Sequence, residues 1–189
     1  MKALILLGSP RKNGNTELLL KKIIQGIEQA HGKWELIRLP ELDIHPCIGC
    51  GTCEKTGTCV FKDDMQNLYE KISRADRIII GSPIYFYNVT AQTKVFIDRC
   101  QALWSRKYVL NQPIGNNPDR RGYLVSVSAT RGERIFEGAK LTAHYAFDAM
   151  DCNYAGDLLV RGMDKQGVIS DSPDELQRAI NFGIGLSGS

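Results

Sequence analysis

Lys2-Ala3-Leu4-Ile5-Leu6-Leu7-Gly8-Ser9-Pro10-Arg11-Lys12-Asn13-Gly14-Asn15-Thr16 decides the architecture. Its first part is a compact apolar run, which reads as a strand buried on both faces. The run is too short to span a membrane and lacks a signal-peptide cleavage pattern. Gly8-Ser9-Pro10 stops it. After a polar loop, Leu18, Leu19, Ile23, Ile24 and Ile27 recur at helical spacing from Thr16 to a stop at His31-Gly32. A strand that turns through such a loop into a helix presents backbone N–H groups to an anion at the helix start. Ser9, Asn15 and Thr16 add donors, Arg11 adds a fixed charge, and Asn13 and Gly14 complete the loop. The triphosphate pattern Gly-x4-Gly-Lys-[Ser/Thr] is not met, because Asn15 stands in the lysine position, and Gly-x-Gly-x-x-Gly is missing too. A single terminal phosphate is the better match, with a polar turn and an N-cap as the plain alternative.

Working outward, residues 34–39 alternate like a strand, and an unusually long irregular stretch, 40–62, follows. Asp63-Asp64 opens a helix carrying Met65, Leu68, Tyr69 and Ile72, with acids where the helix dipole favours them. Residues 77–80 form a second buried strand, stopped by Gly81-Ser82-Pro83. The pattern then predicts a helix over 90–104, a strand over 122–127, a helix over 136–150, a short strand over 157–160 and a closing helix over 173–182, with a frayed tail over 185–189. Apolar strands alternating with amphipathic helices imply a parallel sheet covered on both faces. Five strands fit a flavodoxin-like α/β three-layer sandwich in the order 2-1-3-4-5. The expectation is one domain over 1–189 with a Cys-rich insertion over 40–62.

Ligands of such sheets bind beyond the carboxyl ends of the strands, so the loops 8–16, 82–88 and 128–132 should converge on one site. In the second of these, Pro83, Ile84, Tyr85, Phe86, Tyr87 and Asn88 offer a surface for a flat conjugated ligand and a polar edge to meet it. In the third, Ser128, Thr130 and Arg131 offer hydroxyls and a charge. A monophosphate cradle and an aromatic loop on one sheet edge point to FMN.

Composition narrows the class. The 189 residues include 24 Lys+Arg and 21 Asp+Glu, a formal net charge of +3 with the basic residues scattered, which disfavours nucleic-acid binding by a basic face. A 43% hydrophobic content with 24% charged residues is ordinary for a soluble globular chain. The expectation is a cytoplasmic protein with no membrane partner. Four of the six cysteines follow the spacing Cys47-x2-Cys50-x2-Cys53-x5-Cys59, interleaved with Gly49, Gly51 and Gly57. Such crowding does not suit a secreted disulfide framework. The spacing is compatible with a [4Fe–4S] cube, with a zinc site, or with four reduced thiols that bind nothing. Cys100 and Cys152 read as packing residues, Asp98-Arg99 as ordering helix or subunit packing, and Arg120-Arg121 as a solvated turn. None of the three histidines has a partnered nucleophile that would make it a catalytic base.

Gly8-Ser9-Pro10-Arg11-x-x-Gly14-Asn15-Thr16, Ser82-Pro83-Ile84-Tyr85 and Lys94-x-Phe96-Ile97-Asp98-Arg99 together resemble the NADPH-dependent FMN reductase superfamily, and the Cys loop resembles that of its iron–sulfur flavoproteins. The resemblance covers nearly the whole chain. It implies that the first loop holds the FMN phosphate, the second contacts the isoalloxazine and the third approaches its pyrimidine edge. It also implies a [4Fe–4S] cluster on Cys47, Cys50, Cys53 and Cys59 that passes electrons from a ferredoxin-like donor to FMN and on to quinone, dioxygen or peroxide, in a homodimer or homotetramer. Two other functions stay open: a cluster-free NAD(P)H-dependent FMN or quinone reductase, and a non-catalytic regulatory protein on the same scaffold.

Overall fold

The computed structural model describes residues 1–115 and 117–188; Ser189, the end of the expected tail, lies outside them. Five parallel strands form one sheet: β1 (Lys2–Leu7), β2 (Lys33–Arg38), β3 (Arg77–Pro83), β4 (Arg121–Val127) and β5 (Asn153–Val160), in the order β2-β1-β3-β4-β5. This is the expected flavodoxin-like α/β three-layer sandwich. The period-2 alternation of side chains sorts each central strand between two cores. Ala3, Ile5, Leu7, Ile79, Tyr123 and Val125 face α1 (Asn15–Gln29) and α7 (Pro173–Gly188), while Leu4, Leu6, Ile78, Ile80 and Leu124 face the opposite layer. That layer consists of α3 (Met65–Arg74), α4 (Ala91–Arg99), α5 (Gln101–Trp104) and α6 (Glu137–Ala149).

Several boundaries move for physical reasons. β3 continues to Pro83 because Gly81, Ser82 and Pro83 pair in register with Val125, Ser126 and Val127, and the buried Ser126 hydroxyl donates to Ser82 O at 2.7 Å. β5 starts four residues before the expected 157 because it is an edge strand with a half-exposed first part, so no apolar run marks it. The expected helix 90–104 tightens at Cys100, whose N–H donates to Ile97 O at 2.9 Å, and divides into α4 and α5. The closing helix runs on through most of the expected tail to Gly188. Within the stretch expected to be irregular, a short 3-10 turn (Leu39–Glu41) and a helix, α2 (Thr52–Thr56), form. Gly51 and Gly57 flank α2 in the left-handed region, at φ +70° and +69°, which glycine adopts without a Cβ penalty.

Arg120 is not solvated. It is 2% exposed, and its guanidinium donates to Ala75 O (3.1 Å), Met150 O (2.7 Å) and Ile72 O, tying the ends of α3 and α6 together at the start of β4. Among the described residues, no helix is long and apolar enough to cross a membrane.

Candidate functional site

The loop after β1 is seated by backbone contacts. Gly8 N–H donates to Gly81 O at 2.7 Å and Gly8 O accepts from the buried Thr90 hydroxyl at 2.7 Å. A Cβ at Gly8 would lie 1.7 Å from Thr93 Oγ1, so only glycine lets the loop rest on the start of α4. Ser9 is buried, and its Oγ accepts from Arg11 N–H at 3.3 Å. At the head of α1 the N-cap is Gly14, which is extended and has no side chain to accept from the first-turn N–H groups. That leaves the N–H groups of the first turn of α1 as donors for an anion.

Asn13 does a different job. Its backbone is left-handed (φ +54°), its N–H donates to Glu17 Oε2 at 2.7 Å, and its Oδ1 accepts from Lys21 Nζ at 3.2 Å. Burial alone would raise the Glu17 carboxyl, but the Asn13 N–H, Lys21 and Arg38 outweigh it and hold the group below the usual carboxylate range.

The three loops meet. A cavity of about 150 Å³ at the carboxyl edge of the sheet is lined by Ser9, Arg11, Gly14, Asn15 and Thr16 from the first loop, and Pro83, Ile84 and Tyr85 from the second. Val127 comes from the end of β4 and Ala129 from the third loop. Asn13, Phe86, Tyr87, Asn88, Ser128, Thr130 and Arg131, expected with them, are not among its lining residues. Phe86 and Tyr87 have left-handed backbones (φ +47° and +64°) that turn the tip of the loop outward, and Phe86 is fully exposed. Tyr87 instead lines a shallow depression with Glu133, Arg134, Glu137 and Gly138. Asn88 Oδ1 accepts from Val89 N–H at 2.8 Å, the buried Ser128 hydroxyl donates to Thr130 O at 2.9 Å, and Arg131 packs against Gly162.

Met163, Asp164 and Gln166 close the cavity from the segment after β5. Sequence reasoning missed them, because a polar, aperiodic stretch after an edge strand carries no signal of its own. The chemistry of this donor set fits a phosphate and a polyol chain. The volume is below the roughly 300 Å³ at which small-molecule pockets usually begin, so a flavin ring would lie at the mouth, against the half-exposed Tyr85, rather than inside.

The expected iron–sulfur cluster is corrected by the structure. Cys47, Cys50, Cys53 and Cys59 line a second cavity, of about 410 Å³, together with Phe61, Asp98 and Arg99. However, among the described residues no three His, Cys, Asp or Glu side chains gather closely enough to hold a metal ion. The spacing permitted convergence, but the local backbone does not deliver it. Gly49 and Gly51 turn the chain through left-handed conformations, and α2 carries Cys53 into a helix where its Sγ accepts from Ser105 Oγ at 3.4 Å. Cys50 Sγ instead lies 3.5 Å from Thr52 Oγ1, which lowers its thiol pKa. The residues present do not fit a cubane. Cys100 and Cys152 are buried packing residues, as expected, and burial pushes the Cys152 thiol up to about 11.

The neck of this loop is fastened by Asp63 and Arg99, whose side chains are 3% and 0% exposed. Arg99 Nη1 and Nη2 donate to the two Asp63 oxygens at 2.6 and 3.0 Å, and Nη1 also donates to His45 O at 2.7 Å. The guanidinium stacks over Phe61 at 5.0 Å. Arg99 thus orders packing, as its helix position suggested.

Comparison with known proteins agrees with the fold. The family model described as NADPH-dependent FMN reductase matches residues 1–150. The chain is similar to an iron–sulfur flavoprotein of Methanocaldococcus jannaschii, 41% identical over 103 residues, or 54% of this chain and 53% of that protein. It is also similar to one of Archaeoglobus fulgidus, 43% identical over 99 residues, or 52% and 45% of the two chains. The chain thus spans about half the length of the curated relatives it matches. Among solved structures, an NAD(P)H:quinone oxidoreductase from Methanothermobacter marburgensis superposes with a TM-score of 0.77 at 19% identity, over 98% of this chain and 96% of that one. That likeness is one of fold.

Proposed function

The chain belongs to the NADPH-dependent FMN reductase family and is homologous to the iron–sulfur flavoproteins, and on that premise we propose that it is an NAD(P)H-dependent FMN or quinone reductase that works without an iron–sulfur centre. One observation carries the reading: the loops after β1, β3 and β4, far apart in the chain, line a single cavity at the carboxyl edge of the sheet. When bound there, FMN supplies hydride acceptance and donation at its ring. The protein's own groups bind and orient. The first-turn N–H groups of α1, with Ser9, Thr16 and Arg11, hold the terminal phosphate. Pro83, Ile84 and Tyr85 form the wall along which the ring is placed, and the open mouth admits a nicotinamide and then a small acceptor. No side chain acts as a nucleophile. The assembly is proposed to be a homodimer or homotetramer, which light scattering measures directly.

The test is anaerobic titration of the FMN-loaded protein with NADPH and NADH. Either nicotinamide should bleach the flavin within seconds, and a quinone should restore its colour. Iron and acid-labile sulfide, assayed on the same preparation, should stay at background. A flavin that neither nicotinamide reduces, while a ferredoxin-like donor does, overturns the proposal.

A further inference from the structure

Asn15 stands at the head of α1, where sequence reasoning made it a ligand donor, yet its side chain is spent on another segment of the protein. Its carboxamide nitrogen donates to Met163 O (3.1 Å) and Lys165 O (2.9 Å), and its oxygen accepts from Ile169 N–H (3.2 Å). Both amide hydrogens are therefore used. The same segment is held at further points: Gln166 Nε2 donates to Lys12 O at 2.9 Å, and Met163 N–H donates to Ser128 O at 2.9 Å. Residues 161–167 are in effect a strap, sewn on one side to the phosphate loop and on the other to the loop after β4.

The strap brings Asp164 to the cavity, where it is the one carboxylate among the lining residues. A carboxylate repels a phosphate and gains nothing from the face of a flavin ring. It does match hydroxyl donors, and a flavin nucleotide carries those on the polyol chain between phosphate and ring. Building on the flavin reading above, we propose that Asp164 accepts hydrogen bonds from that polyol chain, and that Asn15 is the positioning residue that holds the strap, and with it Asp164, against the site.

The experiment measures binding of FMN, riboflavin and lumiflavin to the purified chain by quenching of flavin fluorescence. Riboflavin has the polyol and no phosphate; lumiflavin has neither. Asp164→Ala should weaken riboflavin about tenfold, the loss of one hydrogen bond to a charged acceptor, and leave lumiflavin unchanged. FMN should lose less, because removing the carboxylate also relieves repulsion of the phosphate. Asp164→Asn, which keeps an acceptor oxygen, should recover part of the loss. Asn15→Ala should weaken riboflavin similarly and speed amide hydrogen exchange at Ile169, which Asp164→Ala should leave alone. Asp164 is exposed, so its variants test the idea even if Asn15→Ala fails to fold. Riboflavin binding that is unchanged or tighter in Asp164→Ala, or lumiflavin weakened as much as riboflavin, overturns the inference while the flavin reading stands. A wild-type chain with no affinity for FMN or riboflavin overturns the flavin reading itself.

Discussion

Replacing Arg99 by methionine tests whether the neck of the Cys loop is held by a buried ion pair. The wild-type guanidinium makes two hydrogen bonds to Asp63 and one to His45 O, all within 3.0 Å. Burial alone would raise the Asp63 carboxyl, but Arg99 and the N–H groups of His45 and Met65 outweigh it and hold it at about 2. Removing one partner of a buried pair costs about 3–5 kcal/mol, because the other charge is left in a low-dielectric setting. Among the described residues, Arg99 Nε is buried without a hydrogen-bond partner. Methionine removes that unsatisfied donor and so returns about 1 kcal/mol. The net expectation at pH 7 is a loss of about 2–4 kcal/mol. The sign of the pH dependence follows from the depressed carboxyl. An ordinary Asp titrates near 3.9, so the stabilisation is fully present above about pH 4 and is lost as pH falls toward about 2. The deficit of Arg99→Met should accordingly be largest at neutral pH and shrink in acid. Urea denaturation followed by circular dichroism at pH 7 and at pH values from about 4 down to about 2 measures it. A parallel Asp63→Asn variant and the double variant should show a coupling of at least about 1.5 kcal/mol. A cost below about 1 kcal/mol at pH 7, or additive single variants, would refute the reasoning.

Other consequences are equally direct. Gly8→Ala should destabilise by about 1–3 kcal/mol through overpacking against Thr93, and Thr93→Ala in the same chain should recover part of that loss in a urea titration. Arg120→Leu should cost about 3 kcal/mol or more by stranding three buried carbonyls, measured as a fall in the unfolding midpoint; an unchanged midpoint contradicts the described role. Arg11→Ala should weaken FMN by roughly tenfold at low salt, the worth of a charge-assisted contact, while riboflavin affinity, read by the same fluorescence titration, stays unchanged.

The central sheet was legible because its cause is local. Apolar runs such as 2–7 and 77–80, each closed by Gly-Ser-Pro, can only be buried strands in an alternating α/β chain, and strand count then selects the order. The turn from β1 into α1 was legible for the same reason. Features set by tertiary context were not. Arg120 reads as a solvated charge until the carbonyls of Ile72, Ala75 and Met150 are brought around it. The cysteine spacing reports how far apart the thiols are along the chain, whereas their directions depend on Gly49, Gly51 and the helix that encloses Cys53. The residues 163–166 carry no periodicity, and contacts distant in sequence place them, among them the Asn15 side chain almost 150 positions earlier.

The Arg120 contacts also bear on how the molecule breathes. The guanidinium is satisfied only while the end of α3, the chain entering β3 and the end of α6 are all in place at once. If one of these three frays, a buried cation loses an acceptor that the other two cannot replace. A fluctuation that would otherwise stay local is thereby charged against the whole cluster, and partial openings on this side of the sheet are driven toward the cost of global unfolding.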